Sequence, residues 1–208
     1  QWNVVNEHLA PDMEMLTDLI ASIKTYANVS LNRIRILGSS NGGALAARAY
    51  IELDEPSIDI VCCIISQIHQ QQYREGKFYK PSDPEYIHTD YANAGYDTEA
   101  SPYRPRKYLQ INNTNDNTVP YSGSSSPGPG SAIFLPAKHS SFLMATSQGY
   151  EGGILSSGQQ YFNYSTVTKY SYLNNHVVQL TSNAGHNTNV GLLAAITEYF
   201  QSNGNTLS

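Results

Sequence analysis

Charge is what this chain has least of: Asp, Glu, Lys and Arg together make up 14% of its 208 residues, and the net charge is -5. That balance leaves no basic stripe of the kind nucleic-acid binding requires, so no nucleic-acid partner is expected. Long apolar runs are also missing. No stretch reaches the roughly 18 residues that span a bilayer, and no membrane partner is expected. The opening Gln1-Trp2-Asn3 lacks the basic-then-apolar order of a secretory signal, so an exported form would have shed its leader. Cysteine is limited to Cys62 and Cys63, adjacent in the apolar run Ile58 to Ile65. Neighbours on a strand point to opposite faces and do not easily bridge each other, so both read as small buried hydrophobes. A bridge to a segment outside this chain stays open. No Cys spacing suits zinc, and no metal is expected.

Apolar and aromatic residues make up 40%, with 15 Gly and 16 Tyr. The length suits a single domain, 1–208, with room for a core. Polarity comes mainly from amides, hydroxyls and phenols. Such a surface suits a secreted or periplasmic protein that handles sugar-rich or polymeric material. N-x-S/T sequons stand at Asn28, Asn112 and Asn163, but motifs this short arise often by chance.

Hydrophobic periodicity divides the chain into alternating helices and strands. Leu16, Leu19, Ile20, Ile23 and Tyr26 recur at three- and four-residue steps, which predicts a helix over Pro11 to Ala27. Pro11 suits its first turn, and Asp12 and Glu14 face its positive end. Arg33 to Leu37 is a short strand, Asn41 to Leu53 a helix, and Ile58 to Ser66 a strand buried on both faces. Gln67 to Pro105 breaks this rhythm. It is polar, interrupted by proline and rich in tyrosine, and is expected to form a lid or binding insertion. Strand composition returns at Lys107 to Asn112. An irregular loop follows over Pro120 to Gly130, then a helix over Ala137 to Gln148. Thr166 to Leu173 and His176 to Thr181 flank Asn174-Asn175, a hairpin signal. The last helix spans about Asn189 to Ser202. This order predicts an α/β fold with a mostly parallel sheet covered by helices.

Gly38-Ser39-Ser40-Asn41-Gly42-Gly43 lies between a predicted strand and a predicted helix. A G-x-S-x-G elbow forces its central serine into a strained turn that exposes the hydroxyl, and the flanking glycines avoid clashes with strand and helix. Ser40 is therefore the candidate nucleophile. The backbone N–H of Asn41 is the candidate oxyanion donor, aided by the helix N-terminus. A chance serine in a glycine-rich turn is the alternative. A serine needs a base at neutral pH, and His186 is the best placed, after the last strand and before the last helix. His69 and His88, in the insertion, are its rivals. His8, His139 and His176 fall less well. Asp116, on the loop after the Lys107–Asn112 strand, is sited to orient His186, although an Asp here also suits an Asx-turn. The chain order Ser, Asp, His is that of α/β-hydrolases.

On these motifs the chain resembles extracellular esterases of the α/β-hydrolase superfamily, the polyhydroxybutyrate depolymerase-like and feruloyl or acetylxylan esterase group. The matching stretches are Trp2-Asn3, the Pro11–Ala27 helix, Asn32 to Gly43, Asn113 to Tyr121 and Gly185-His186. The resemblance implies the α/β-hydrolase fold with Ser40 as nucleophile, Asp116 as acid and His186 as base. It also implies a block of strands, with a His-Gly loop giving a second oxyanion donor, ahead of the part seen here. A further N-terminal segment or a second chain is thus the expected partner that completes the sheet. Asn187-Thr188-Asn189 departs from the family, which commonly has an aromatic soon after the histidine.

The expected activity is hydrolysis of a carboxylic ester through an acyl-enzyme, without a cofactor. The substrate is an ester of a polymer or of a plant or algal polysaccharide, with hydroxybutyryl, feruloyl or acetyl groups all open. Trp2, Ser39, Gln67 and Tyr121 are candidate substrate contacts. Tyr73, Phe78, Tyr79, Tyr86, Tyr91, Tyr96 and Tyr103 either stack against substrate or pack the insertion onto the body. Three alternatives stand: a serine peptidase of the prolyl-oligopeptidase type, a non-catalytic binding protein that retains the fold, and a fragment that serves only in assembly.

Overall fold

A computed structural model describes residues 2–4, 11–82, 92–128, 132–161 and 164–203. The sequon at Asn163, the histidines His8 and His88, and Tyr86 and Tyr91 lie outside the described residues. The elements run α1 (Asp12–Ile23), β1 (Ile34–Ser39), α2 (Asn41–Glu52), β2 (Ile58–Ile64), β3 (Tyr73–Arg74), β4 (Lys77–Lys80), β5 (Thr98–Ala100), β6 (Lys107–Asn113), α3 (Ala137–Ser147), β7 (Gln159–Tyr161), β8 (Tyr164–Tyr172), β9 (Val177–Ser182) and α4 (Val190–Ser202).

The main sheet has six strands in the order β1-β2-β6-β9-β8-β7. β1, β2, β6 and β9 are mutually parallel, whereas at one edge β8 pairs antiparallel with β9 and β7 antiparallel with β8. The fold is therefore α/β with a mostly parallel sheet and helices on both faces. Strand alternation explains how the two faces differ. Val61 and Cys63 join one core with α1, α2 and α3, while Ile60, Cys62 and Ile64 join another with α4. The two cysteines are free, fully buried and on opposite faces. Burial pushes the Cys63 thiol up to about 12 and raises that of Cys62, so neither ionises at neutral pH.

The hairpin turn between β8 and β9 is built by Leu173, Asn174 and Asn175, all with positive φ. Asn accepts that region more readily than most residues. The tyrosine-rich segment is not an irregular loop throughout: β3, β4 and β5 form a small antiparallel sheet within it. Arg74 stacks on Tyr79 there, and the fully buried Tyr96 donates its hydroxyl to Val4 O (2.6 Å). Most of the described aromatics in this segment therefore pack inward.

Two buried arginines anchor α2 to its surroundings. Arg106 donates to the carbonyls of Tyr50, Leu53 and Glu55, which places its positive charge against the negative C-terminus of the helix. Arg48 pairs with Glu52 at 2.8 Å and donates to Asn3 O. Asn3 N–H in turn donates to Asp12 Oδ2 (2.5 Å). Residues 2–4 are thereby strapped along α2 toward its N-terminus.

On the α3 face a polar seam crosses the core. Gln110 donates to Asn112 Oδ1 and Ala137 O and accepts from Ser140, while Asn112 donates to Ser66 O and Gln67 Oε1. Every one of these amide groups is satisfied, which is what makes a buried polar seam tolerable.

Candidate active site

The parallel strands share a direction, so their C-terminal ends meet at one rim of the sheet, where α/β proteins place ligands. Three segments reach that rim: the turn after β1, the loop after β6 and the loop after β9.

The first holds Ser40 at φ 55° and ψ -118°, in the region that disfavours side chains. Gly38 and Gly43, on either side of this turn, have no room for a side chain. A Cβ on Gly38 would stand 1.8 Å from Gly42 O, and one on Gly43 would stand 2.7 Å from Ile64 O. Ser40 N–H donates to Ile64 O (2.9 Å), which ties the turn to β2. Helix α2 opens at once with Asn41, whose N–H belongs to the first turn, where helical donors lack an intrahelical acceptor.

The second segment carries Asp116, buried on its loop. Its Oδ1 accepts from the backbone N–H groups of Thr118 (2.8 Å) and Val119 (2.9 Å). Its Oδ2 faces His186 Nδ1 at 2.8 Å. The Asx-turn and the histidine contact therefore coexist on one carboxylate.

His186, on the third segment, has its Nε2 2.8 Å from Ser40 Oγ. An ionised carboxylate only accepts, so Nδ1 carries the proton and Nε2 is left as the acceptor facing the serine. The side chain of Asp116 is 2% exposed and that of His186 24%, so the buried acid lies behind a base that reaches solvent. Ser40, Asp116 and His186 thus meet in one hydrogen-bonded row.

The other described histidines are placed differently. His69 is fully buried, edge-on to Tyr96, with burial holding its pKa down to about 3. His139 stacks on Phe142, and His176 lies at the opposite end of β9, lowered by burial.

Among the candidate substrate contacts, Trp2 and Ser39 come to the rim. Trp2 N–H donates to Asn41 Oδ1 (2.6 Å), and its indole Nε1 lies 3.5 Å from where a Gly42 Cβ would be. Trp2 is 41% exposed. Ser39 is exposed beside the nucleophile. Gln67 is a correction: it is fully buried, and its amide is taken up by Pro120 O, Leu135 O and Asn112. It shapes the acid loop from within, with both amide N–H donors taken by backbone carbonyls. Tyr121 sits beside Tyr170 and Tyr172, where burial raises its phenol. A cleft of about 520 Å³ lies elsewhere, lined by Tyr73, Phe78, Ser101, Arg104 and Ser147, and contains none of the three row residues.

Sequence reasoning overlooked the side chains that hold the base loop, Asn113 and Asn115. Asn113 donates to Gly185 O and Asn187 O, and Asn115 to Asn183 O. The available signal is the density of amides from Asn112 to Asn117, which by itself reads as turn composition. Among the described residues no group of His, Cys, Asp and Glu is arranged to hold a metal. Comparison of the chain with protein-family models, with curated proteins and with solved structures finds no match, which leaves geometry to carry any functional assignment.

Proposed function

We propose that this chain is a serine hydrolase of the α/β-hydrolase type that cleaves carboxylic esters through an acyl-enzyme. The observation that carries the proposal is the row Ser40–His186–Asp116, with both contacts at 2.8 Å and the serine on a strained strand-to-helix turn. In the proposed reaction His186 Nε2 takes the Ser40 proton as Oγ adds to the ester carbonyl. Asp116 holds the ring and stabilises the imidazolium. The Asn41 N–H faces the developing oxyanion. Collapse breaks the carbonyl–oxygen bond to the alcohol, which leaves with the proton from His186. Water then gives a proton to His186 as its oxygen adds to the acyl carbon, and the bond to Ser40 Oγ breaks as His186 returns that proton to it, releasing the carboxylic acid and the free serine.

A second oxyanion donor, supplied by a further segment or a second chain paired with the β1 edge, belongs to the same proposal. So does a lid role for 67–105. The half-exposed Trp2 on the rim supports an acyl group with an apolar or planar face, in keeping with a hydroxybutyryl, feruloyl or acetyl ester of a polymer. Such polymers are met outside the cell, hence a secreted or periplasmic setting.

The test is hydrolysis of p-nitrophenyl acetate and butyrate, set against peptide p-nitroanilides, by wild type, Ser40→Ala and His186→Ala. Ester turnover lost in both variants supports the proposal. Anilide turnover that exceeds ester turnover assigns a peptidase instead, and no turnover of either class points to a binding protein.

A further inference from the structure

Asn113, the last residue of β6, is buried and paired in register with Ser182 of β9. Its side chain makes three hydrogen bonds, and all three land on the segment that carries His186. Nδ2 donates to Gly185 O (2.7 Å) and to Asn187 O (2.6 Å), the carbonyls on either side of the histidine. Oδ1 accepts from Ser182 Oγ (2.7 Å). That hydroxyl also receives Asn189 Nδ2 and the Ala184 N–H, both at 3.2 Å. The amide therefore uses both of its N–H donors on the loop and its oxygen on the strand end that leads into it, so no donor is left over for a ligand.

This loop needs such an anchor. Residues 183–189 belong to no helix or strand. Gly185 adds no side chain to hold its place, and among the described residues the His186 ring is tethered by Asp116 at one nitrogen and Ser40 at the other. Holding Gly185 O, the carbonyl joined to His186 N, and Asn187 O, one residue past the histidine, restrains the backbone motion that would swing the ring off the serine. Asn115 contributes from the exposed side, through its N–H to Ala184 O (3.2 Å) and its Nδ2 to Asn183 O (2.6 Å). Both of those bonds lie upstream of the histidine, so of the two asparagines it is Asn113 that grips both flanks.

We infer that Asn113 is a positioning residue for His186, acting through the loop backbone and not on the substrate. The inference rests on the proposed role of His186 as base. An asparagine serves here because the position needs two donors and one acceptor in one plane. The substitution Asn113→Asp would turn a carboxylate oxygen toward two carbonyl oxygens, and Asn113→Ala would take the side-chain donor from both carbonyls, leaving Gly185 O with the Asn187 N–H. Misplacement of a catalytic group by about 1 Å costs on the order of 100-fold in rate.

The experiment uses the whole chain and the variants Asn113→Ala and Asn113→Asp. It measures kcat and KM for p-nitrophenyl acetate against pH, and the proton resonance of the His186–Asp116 hydrogen bond. The inference predicts that Asn113→Ala loses about 10- to 100-fold in kcat with KM nearly unchanged. The bonded Nδ1 proton should broaden or shift. Asn113→Asp, which keeps the shape and the Ser182 contact, should lose at least as much and show a raised apparent pKa of the base. Wild-type kcat and an unmoved resonance in both variants, even with a lowered melting temperature, would overturn it. If neither variant folds, backbone relaxation of the wild type decides: residues 184–188 as rigid as β9 support the inference, and order parameters below about 0.6 there overturn it. A wild type that turns over no ester refutes the hydrolase proposal itself, a result distinct from an active wild type with indifferent Asn113 variants.

Discussion

Asp116 holds His186 with one carboxylate oxygen and its own loop with the other: Oδ2 meets the ring at 2.8 Å, while Oδ1 takes two backbone N–H groups. The two roles separate by mutation. Asp116→Asn keeps an oxygen for the turn but presents an N–H to Nδ1, which forces the proton onto Nε2 and leaves no acceptor for Ser40. We expect kcat about 10⁴-fold lower with little change in melting temperature. Asp116→Ala should lose comparable activity and also about 1 kcal/mol or more of stability, because two buried N–H groups go unpaired. Steady-state kinetics beside thermal unfolding checks both.

The elbow glycines differ in how much space they have. Gly38→Ala and Gly43→Ala drive a Cβ into backbone oxygens, whereas Gly42→Ala meets only the Trp2 indole at ordinary contact distance. Gly38→Ala is expected to destabilise by about 3 kcal/mol or more and to abolish activity. Gly42→Ala should fold like wild type. Denaturant melts of the three variants should rank in that order.

Ser40 itself stores strain, since φ 55° is tolerated far better by glycine. Ser40→Gly is predicted to be inactive and more stable than wild type by roughly 1 kcal/mol. Ser40→Ala should be inactive without that gain. Equal stabilities for the two would argue against a strained nucleophile.

How far the amino-acid order reveals this molecule depends on the range of the forces concerned. The Ile58–Ile64 run, the Gly38–Gly43 turn and Asn174-Asn175 announce themselves because burial on both faces, a tight turn and positive φ each constrain neighbouring residues. The meeting of residues 40, 116 and 186 follows from parallel strands ending at one rim. By contrast, β3 and β7 are too short to show a period, and β7 pairs only along one edge. Gln67 looks like a surface amide in the sequence because its partners, Pro120 O and Leu135 O, are far along the chain. The Arg106 staple and the strap over residues 2–4 escape notice for the same reason: a buried charge is recognised by where it goes, and composition does not record that.

His69 offers a test of stability against pH. Burial lowers its folded pKa to about 3 from an ordinary 6.5, so between those values the unfolded chain binds the extra proton. Its contribution is complete above pH 6.5 and is lost as pH falls toward 3, at roughly 1.4 kcal/mol per pH unit. His69→Phe keeps the ring against Tyr96 and removes the titration. Its stability should fall less steeply than that of wild type between about pH 6.5 and 4.5, measured by urea unfolding. Parallel slopes would contradict the assignment.

The central claim is that the hydroxyl of Ser40 is made nucleophilic by the imidazole 2.8 Å away. Its most direct test is reaction with a fluorophosphonate, read by intact mass and peptide mapping. The account predicts one adduct, on the peptide bearing Ser40, formed quickly by wild type and at least about 10³-fold more slowly by His186→Ala. An unmodified wild type, or an adduct that forms equally fast without His186, would contradict it.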